Sequence, residues 1–525
     1  MVDGRGSKGQ PLCGGVARLP LHPLFAAAYP VLFLFGANAA DQVTADALWE
    51  PLALAVSAAA ALFVVLAILL RDPARGGLIA TLLVSLFFWY GHVRNLVAGV
   101  ISEPVVLLAL WLGIGLLIGV AILRWAGPVA GRLTSTLNLA LGVLVLVNAG
   151  GLATYLWGSA ADLLPPPAGI TRGANEEPGR KPDIWYLVFD RYASAPVLDR
   201  YYGWDNSAFT DALRERGFYV ADASQANYPK TPLSLVSSLS MQYLDGEALT
   251  DRAASGNDAG PIHRLLRGPL PVPSALREAG YRHVQVANWW APTATNETAD
   301  LTLRYESASE FSQALLKMTI LNALDGVEDA DPFDRAVLRE HTLFEFDALR
   351  ELADEEGPKF VFAHFLVPHP PYVFEADGAW IPKEPTGPDA ERAAYIEQLR
   401  YTNGRILELI DRLLAVPADE APIIVLQADE GPFPVRYDAN EWRFDWHTAT
   451  NDELREKVGI LNAYHLPGID PIEAGLRPDI TPVNSFRVIF DAYLGTDLPL
   501  LPDRIWAQRS QQAFYEFFEV TDRVR

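Results

Sequence analysis

The run Ile423-Ile424-Val425-Leu426-Gln427-Ala428-Asp429-Glu430-Gly431 reads as a buried strand that ends on two carboxylates and a glycine able to turn tightly. A second run has the same build, because Ile184-Trp185-Tyr186-Leu187-Val188-Phe189 leads straight into Asp190. Apolar runs of this length belong in the middle of a sheet with both faces covered. Around them, helix-like and strand-like segments alternate. Asn206 to Arg216, Pro273 to Ala279, Asp334 to Ala353 and Ala390 to Leu414 predict helices, and Tyr281 to Ala287 and Phe360 to Val367 predict strands. The rhythm predicts an α/β domain with a largely parallel sheet covered by helices on both faces. Sheets of that kind put their chemistry at the carboxyl ends of the strands.

This domain begins at Lys181, and what precedes it has a different texture. Five apolar stretches, Leu21 to Ala39, Pro51 to Leu70, Gly77 to Leu96, Pro104 to Ile122 and Leu133 to Trp157, each approach the roughly 20 residues a helix needs to cross a bilayer. The third is the weakest, since His92 and Arg94 have to sit at an interface. The reading is therefore a multi-pass helical membrane domain of five spans over 21–157, after a cytoplasmic leader over 1–20. Arg5, Lys8 and Arg18 precede the first stretch, Arg71 and Arg75 follow the second, and Arg124 and Arg132 follow the fourth. The intervening loops carry Asp41, Asp46 and Glu50, then Arg94 with Glu103. The positive-inside rule then makes the N-terminus cytoplasmic and, after an odd number of crossings, puts the large domain on the extracellular or periplasmic side of the cytoplasmic membrane. The spans hold no Asp or Glu, which favours anchoring over ion transport.

Residues 158–180 contain Pro165, Pro166, Pro167, Gly169, Gly173 and Gly179 and read as a semi-stiff spacer. The chain beyond residue 160 carries 34 Lys and Arg against 58 Asp and Glu, a net charge near −24 that repels phosphate backbones and excludes nucleic acid as a partner. The single cysteine, Cys13, lies in the leader, so the outer domain has neither disulfides nor a thiolate metal site.

A third element joins the two strand-end acids. In Asn227-Tyr228-Pro229-Lys230-Thr231-Pro232-Leu233-Ser234, the threonine followed by proline has the pattern of an N-cap with proline at the first helical position. Thr231 is then either a cap alone or a hydroxyl placed where backbone amides and the helix dipole favour an anion. A lone acid after a strand is usually a turn residue, but two such acids, one of them doubled, point to a cation site. With a metal between Asp190, Asp429 and Thr231, the hydroxyl becomes a nucleophile beside a phosphate cradle.

In order along the chain, the strand ending in Asp190, the Lys230-Thr231-Pro232-Leu233-Ser234 helix start, the run Phe362-Ala363-His364-Phe365-Leu366-Val367-Pro368-His369-Pro370-Pro371-Tyr372 and the late Gln427-Ala428-Asp429-Glu430-Gly431 box resemble the sulfatase-like branch of the alkaline phosphatase superfamily. Membrane spans followed by such a domain are similar to the lipoteichoic acid synthases and the lipid A phosphoethanolamine transferases. The resemblance covers nearly the whole chain. It implies a metal-dependent phosphotransferase or phosphodiesterase with a membrane-lipid donor and an envelope glycan or lipid acceptor. By that implication Thr231 is the nucleophile, Asp190 and Asp429 bind metal, His369 contacts the phosphate or leaving group, and Lys230 and Arg191 stabilise the transferring group.

Two departures bear on this. The family box has His after the Asp, where this chain has Glu430, and the Cys-x-Pro-x-Arg frame of true sulfatases is missing around Thr231. A first shell of Asp190, Thr231, Asp429 and Glu430 is all oxygen and favours Mn²⁺ or Mg²⁺ over Zn²⁺. His447, in Arg443-Phe444-Asp445-Trp446-His447, is the expected nitrogen donor if one joins, or else a structural histidine. The alternatives are a degenerate envelope-binding relative whose Glu430 is held by a proton or by Arg436 or Arg443, and a hydrolase of sulfuric or phosphoric esters. The pair Trp289-Trp290 after Asn288 lines a sugar or lipid site or is simply core.

Overall fold

The computed structural model describes residues 19–39, 46–97, 99–101, 103–156, 170, 181–244, 259–307, 309–323 and 335–525. Most of the leader, Trp157 and nearly all of the 158–180 spacer lie outside the described residues. By its internal contacts the chain divides into two compact units, Met1–Gly158 with Ala308–Phe333, and Ser159–Ser307 with Asp334–Arg525.

The first unit is helical. Ala47–Leu70, Pro104–Trp125 and Ala130–Ala153 are long and apolar enough to cross a membrane. Pro73–Phe88 and Tyr90–Val97 are bent by 48° and make a fourth span only when taken together. The helix His22–Ala37, with 16 residues, rises about 24 Å and falls short of a hydrocarbon core of about 30 Å. Among the described residues three helices, or four with the bent pair, are thus long and apolar enough to cross a membrane, against the five expected from sequence. The stretch read from sequence runs on through Asn38 and Ala39, which are not helical. In the third stretch the polar pair His92 and Arg94 lies on the bent-off helix Tyr90–Val97, beyond the break at Trp89.

The second unit carries a seven-stranded sheet in the order β2-β7-β6-β1-β5-β3-β4. The strands are β1 (Ile184–Phe189), β2 (Tyr219–Val220), β3 (Arg282–Val286), β4 (Leu301–Leu303), β5 (Lys359–Phe365), β6 (Ile423–Gln427) and β7 (Asn462–His465). The stretch from β4 through β3, β5 and β1 to β6 is parallel throughout, and β7 is antiparallel to both β6 and β2. An antiparallel pair, Trp506–Ser510 and Ala513–Glu519, lies apart from this sheet.

Alternation along the strands feeds two cores. Leu187, Phe189, Val361, Phe365 and Leu426 pack with Phe346, Leu399 and Ile410 from the helices Arg335–Leu352 and Pro388–Leu413. Tyr186, Val188, Phe362 and Val425 pack with Leu233 and Val236 of the helix Thr231–Ser240 and with Phe486. Burial on both faces is why β1 and β6 read as unbroken apolar runs.

Candidate active site

The three central strands end together. Val188 on β1 stands in register with His364 on β5 and with Gln427 on β6. Side chains alternate, so Asp190 and Asp429, two residues further along β1 and β6, fall on the same side of the sheet as His364. That is the side covered by the helix Thr231–Ser240. Asp190, His364 and Asp429 are all buried, and one potential ligand atom from each lies within 4.8 Å of the others.

Several of their polar atoms lack a hydrogen-bond partner among the described residues. One oxygen of Asp190, both oxygens of Asp429 and Nε2 of His364 are buried without a hydrogen bond. Burial, then the neighbouring charges of Asp429 and Glu430, pushes the Asp190 carboxyl well above the usual range. Burial and the Glu430 charge push Asp429 up to about 7, and the nearby Thr231 hydroxyl holds it down only in part. Uncompensated buried carboxylates are costly unless a proton or a cation joins them.

His364 is oriented as a ligand would be. Its Nδ1 lies 3.1 Å from the Thr293 hydroxyl and 3.3 Å from Asn288 Nδ2. Thr293 donates to Asn288 Oδ1 at 3.1 Å, and Asn288 Nδ2 donates to the His364 carbonyl at 2.6 Å. With the Thr293 proton so used, its oxygen is free to accept from His364 Nδ1–H, which leaves the Nε2 lone pair open on the side without a partner. Burial drives the imidazole down to about 3, so the ring is neutral. The sequence reading quoted His364 but gave it no role. The signal was there: Phe360, Phe362 and His364 alternate onto one face, and a polar residue in that series marks the functional end of the strand. Asn288 acts on the site by holding His364, and Trp290 meets the His364 ring edge-on at 5.8 Å.

Glu430 is not one of this group, although its Oε2 is likewise buried without a hydrogen bond. Its Oε1 lies 2.8 Å from Lys457 Nζ and 3.6 Å from Arg191 Nε. Lys457, on the helix Asn451–Val458, is fully buried, and burial draws its ammonium down to about 8 against the opposing pull of Glu430. Arg191 stacks on Phe433 at 3.1 Å and has φ +61°, a left-handed conformation that costs a non-glycine residue about 1 kcal/mol or more. The cations that meet Glu430 are therefore Lys457 and Arg191, while Arg436 pairs with Glu453. Sequence gave no hint of Lys457, which sits in a helix of ordinary polar composition.

Thr231 is placed differently from the expected cap. Lys230, with extended dihedrals, is the N-cap, and its carbonyl accepts from Ser234 N–H at 2.9 Å. Thr231 is the first helical residue, and its hydroxyl is close to Asp429. Lys230 bonds Glu441, and although burial opposes it, this charge with those of Arg191 and Lys457 holds Glu441 down to about 2. His369 has Nδ1 on the Pro370 carbonyl and is kept well below its usual pKa by burial and by the nearby charges of Arg191 and Lys457. His447 is elsewhere: it bonds Asp445 at 3.1 Å and stacks on Phe518 at 3.9 Å.

Gly431 lets the acidic loop meet the helix Asn451–Val458. Its N–H donates to the Lys457 carbonyl at 2.7 Å, and a Cβ there would come within 2.5 Å of the Glu456 carbonyl and 2.8 Å of that of Lys457. Gly431→Ala is expected to push the loop off this helix, displace Asp429 and Glu430, and destabilise the unit by about 1–3 kcal/mol. A denaturant melt of the variant tests this, and an unchanged midpoint would contradict it.

Residues 193–453 match the Sulfatase family model. This stretch is a sulfatase-family domain. Solved structures similar to the chain include the C-terminal periplasmic domain of EcEptC from Escherichia coli, at 16% identity and a TM-score of 0.42, covering 66% of this chain and 93% of that one. The same domain in complex with Zn gives 15% and 0.43, with the same coverage. The C-terminal periplasmic domain of phosphoethanolamine transferase EptC from Campylobacter jejuni gives 10% and 0.37, covering 62% of this chain and 92% of that one. No curated protein matches the chain significantly in sequence.

Proposed function

We propose that the sulfatase-family domain is a metal-dependent phosphotransferase or phosphodiesterase that acts, through Thr231, on lipid or envelope-glycan head groups. The observation that carries this reading is the convergence of orphaned buried groups from Asp190, His364 and Asp429 beside a helix whose first residue is a threonine. The donor set fits a divalent metal, which when bound would neutralise the carboxylates and acidify the Thr231 hydroxyl. One imidazole nitrogen in place of Glu430 departs from the all-oxygen shell and suits Zn²⁺ or Mn²⁺ better than Mg²⁺.

The rest of the chemistry falls to the chain's own groups. Thr231 Oγ forms a bond to phosphorus as the bond from phosphorus to the lipid oxygen breaks, and the threonine proton passes to the departing lipid oxygen. Free amides at the start of the helix Thr231–Ser240 hold the non-bridging oxygens. Lys230 and Arg191 add positive charge to the same side. Neutral His369 donates from Nδ1 to the Pro370 carbonyl, so its Nε2 is a proton acceptor. It therefore takes a proton from the acceptor hydroxyl as that oxygen displaces Thr231 from phosphorus, and the proton returns to Thr231 Oγ. The apolar helices and the charge of their flanks support a donor and acceptor at the outer face of the cytoplasmic membrane.

The envelope-binding alternative expected Glu430 to be held by a proton or a neighbouring arginine, and Arg191 and Lys457 do hold it. What supports the catalytic reading is that His364 offers a nitrogen to the two aspartates without Glu430. Incubation of the metal-loaded protein with a lipid carrying a phospho-head group, followed by peptide mass analysis, is expected to find the transferred group on Thr231. Turnover without modification at Thr231, even after acid trapping, would overturn the role.

A further inference from the structure

The stretch Ala308–Phe333 belongs by its contacts to the helical unit, although the chain on both sides of it belongs to the catalytic unit. The helix Glu310–Met318 and the short turn Ile320–Ala323 form its described part. Phe311 and Leu315 are buried in a cluster with Phe35, Leu48, Phe88 and Leu152. The Phe311 ring meets Phe35 edge-on at 5.1 Å. Ala323 joins Tyr90 and Leu107 in a second cluster, with Ile320 against it.

Polar and backbone contacts fix the same stretch. Arg94, the one basic residue within the five apolar stretches, donates to the Asn322 carbonyl at 3.1 Å and to the Asn322 side-chain oxygen at 2.5 Å. Asn322 in turn donates to the Lys317 carbonyl at 2.8 Å. Gly91 admits the backbone of Lys317 and Met318 so closely that a Cβ would lie 2.4 Å from the Lys317 carbonyl oxygen.

The contacting positions share one feature. Phe35 is near the end of the helix His22–Ala37, Leu48 near the start of Asp46–Leu70, Phe88 at the end of Pro73–Phe88, Leu107 near the start of Pro104–Trp125, and Leu152 near the end of Ala130–Leu156. In the five-crossing orientation expected from the basic flanks, all are ends on the outer side. A piece of the catalytic polypeptide thus meets the helices on the side where that polypeptide is expected, an agreement that the charge rule alone did not require.

We infer that residues 309–323 are a clip that fastens the catalytic polypeptide to the outer ends of the membrane helices, independently of the 158–180 spacer. The inference does not rest on the proposed reaction. It predicts that cutting the spacer leaves the catalytic fragment attached.

The test inserts a sequence-specific protease site into 158–180 of the full-length protein, cleaves it in isolated membranes, and measures the C-terminal fragment in the pellet after a high-salt wash. Most of the fragment should stay with the membranes. Phe311→Asp with Leu315→Asp should release most of it. Gly91→Val, which leaves the catalytic polypeptide unaltered and blocks the approach of Lys317, should release most of it as well. Trypsin resistance of the released fragment checks that it remains folded. Release of the unsubstituted fragment would overturn the inference, as would its retention in both variants. Release by the Asp pair with full retention in Gly91→Val would also overturn it, because lipid rather than the helices would then hold the segment.

Discussion

Thr231→Ala is expected to abolish transfer while leaving the fold almost unchanged. Had Thr231 been the cap of its helix, alanine would cost about 1 kcal/mol through a lost capping bond. The cap is Lys230, and Thr231 occupies the first helical position, where alanine is at least as favourable as threonine. The stability change should therefore stay within about 0.5 kcal/mol. Loss of the nucleophile should lower kcat/KM by on the order of 10⁴-fold or more, and serine should restore part of it. Activity on a lipid head-group donor, paired with a thermal melt, reads both quantities. Near wild-type turnover by the alanine variant would remove Thr231 from the mechanism.

Two substitutions near the metal ligands should behave in opposite ways. His364→Ala removes a nitrogen whose ring is held by Thr293 and Asn288, and it should weaken Zn²⁺ and Mn²⁺ binding by more than the roughly 10- to 100-fold typical of an outer-shell loss. Glu430→Gln should change metal affinity by less than about 10-fold, since Glu430 points at Lys457 and Arg191. Its cost falls on the fold instead. Lys457 would lose its carboxylate partner inside the protein, a change worth about 3–5 kcal/mol less any relief from deprotonation of the ammonium. Titration calorimetry and denaturant melts on both variants separate these effects. Loss of metal affinity in Glu430→Gln with His364→Ala unaffected would restore the all-oxygen shell.

What the sequence disclosed follows from which signals are local. The continuous runs of β1 and β6 gave both strands at their observed limits, because double-sided burial leaves no alternation to confuse them. The acids that end them were legible for the same reason. Strand β7, Asn462-Ala463-Tyr464-His465, was missed because four residues of mixed polarity carry no periodic signal, and its place in the sheet comes from pairing with β6 and β2. At the site, the strand-end acids and the threonine could be read from their neighbours in the chain. Lys457 meets Glu430 across 27 positions, and no local pattern marks a lysine that will be buried. His447 was expected from its closeness in sequence to the acidic box, whereas the available imidazole comes from β5, a strand adjacent in space and 65 residues earlier than Asp429. Length misled the reading of the first apolar stretch, because hydropathy counts residues that the helix does not include.

The insertion also bears on the order in which the protein is made. The helices through Leu156 leave the ribosome first, so the positions that receive Phe311 and Leu315 exist before those residues are synthesised. Strand β1 is made well before both of its partners, β5 and β6, which emerge only after the clip. Until Lys359–Phe365 and Ile423–Gln427 arrive, β1 has two open edges. Seating of residues 309–323 on the helices would divide the unfinished chain at that stage, and hold the half that contains β1 to β4 at the membrane while the strands that complete the sheet are still being added. Truncated chains that end between Ala323 and Lys359 and are released from the ribosome would then already be clipped, with their sheet still unassembled.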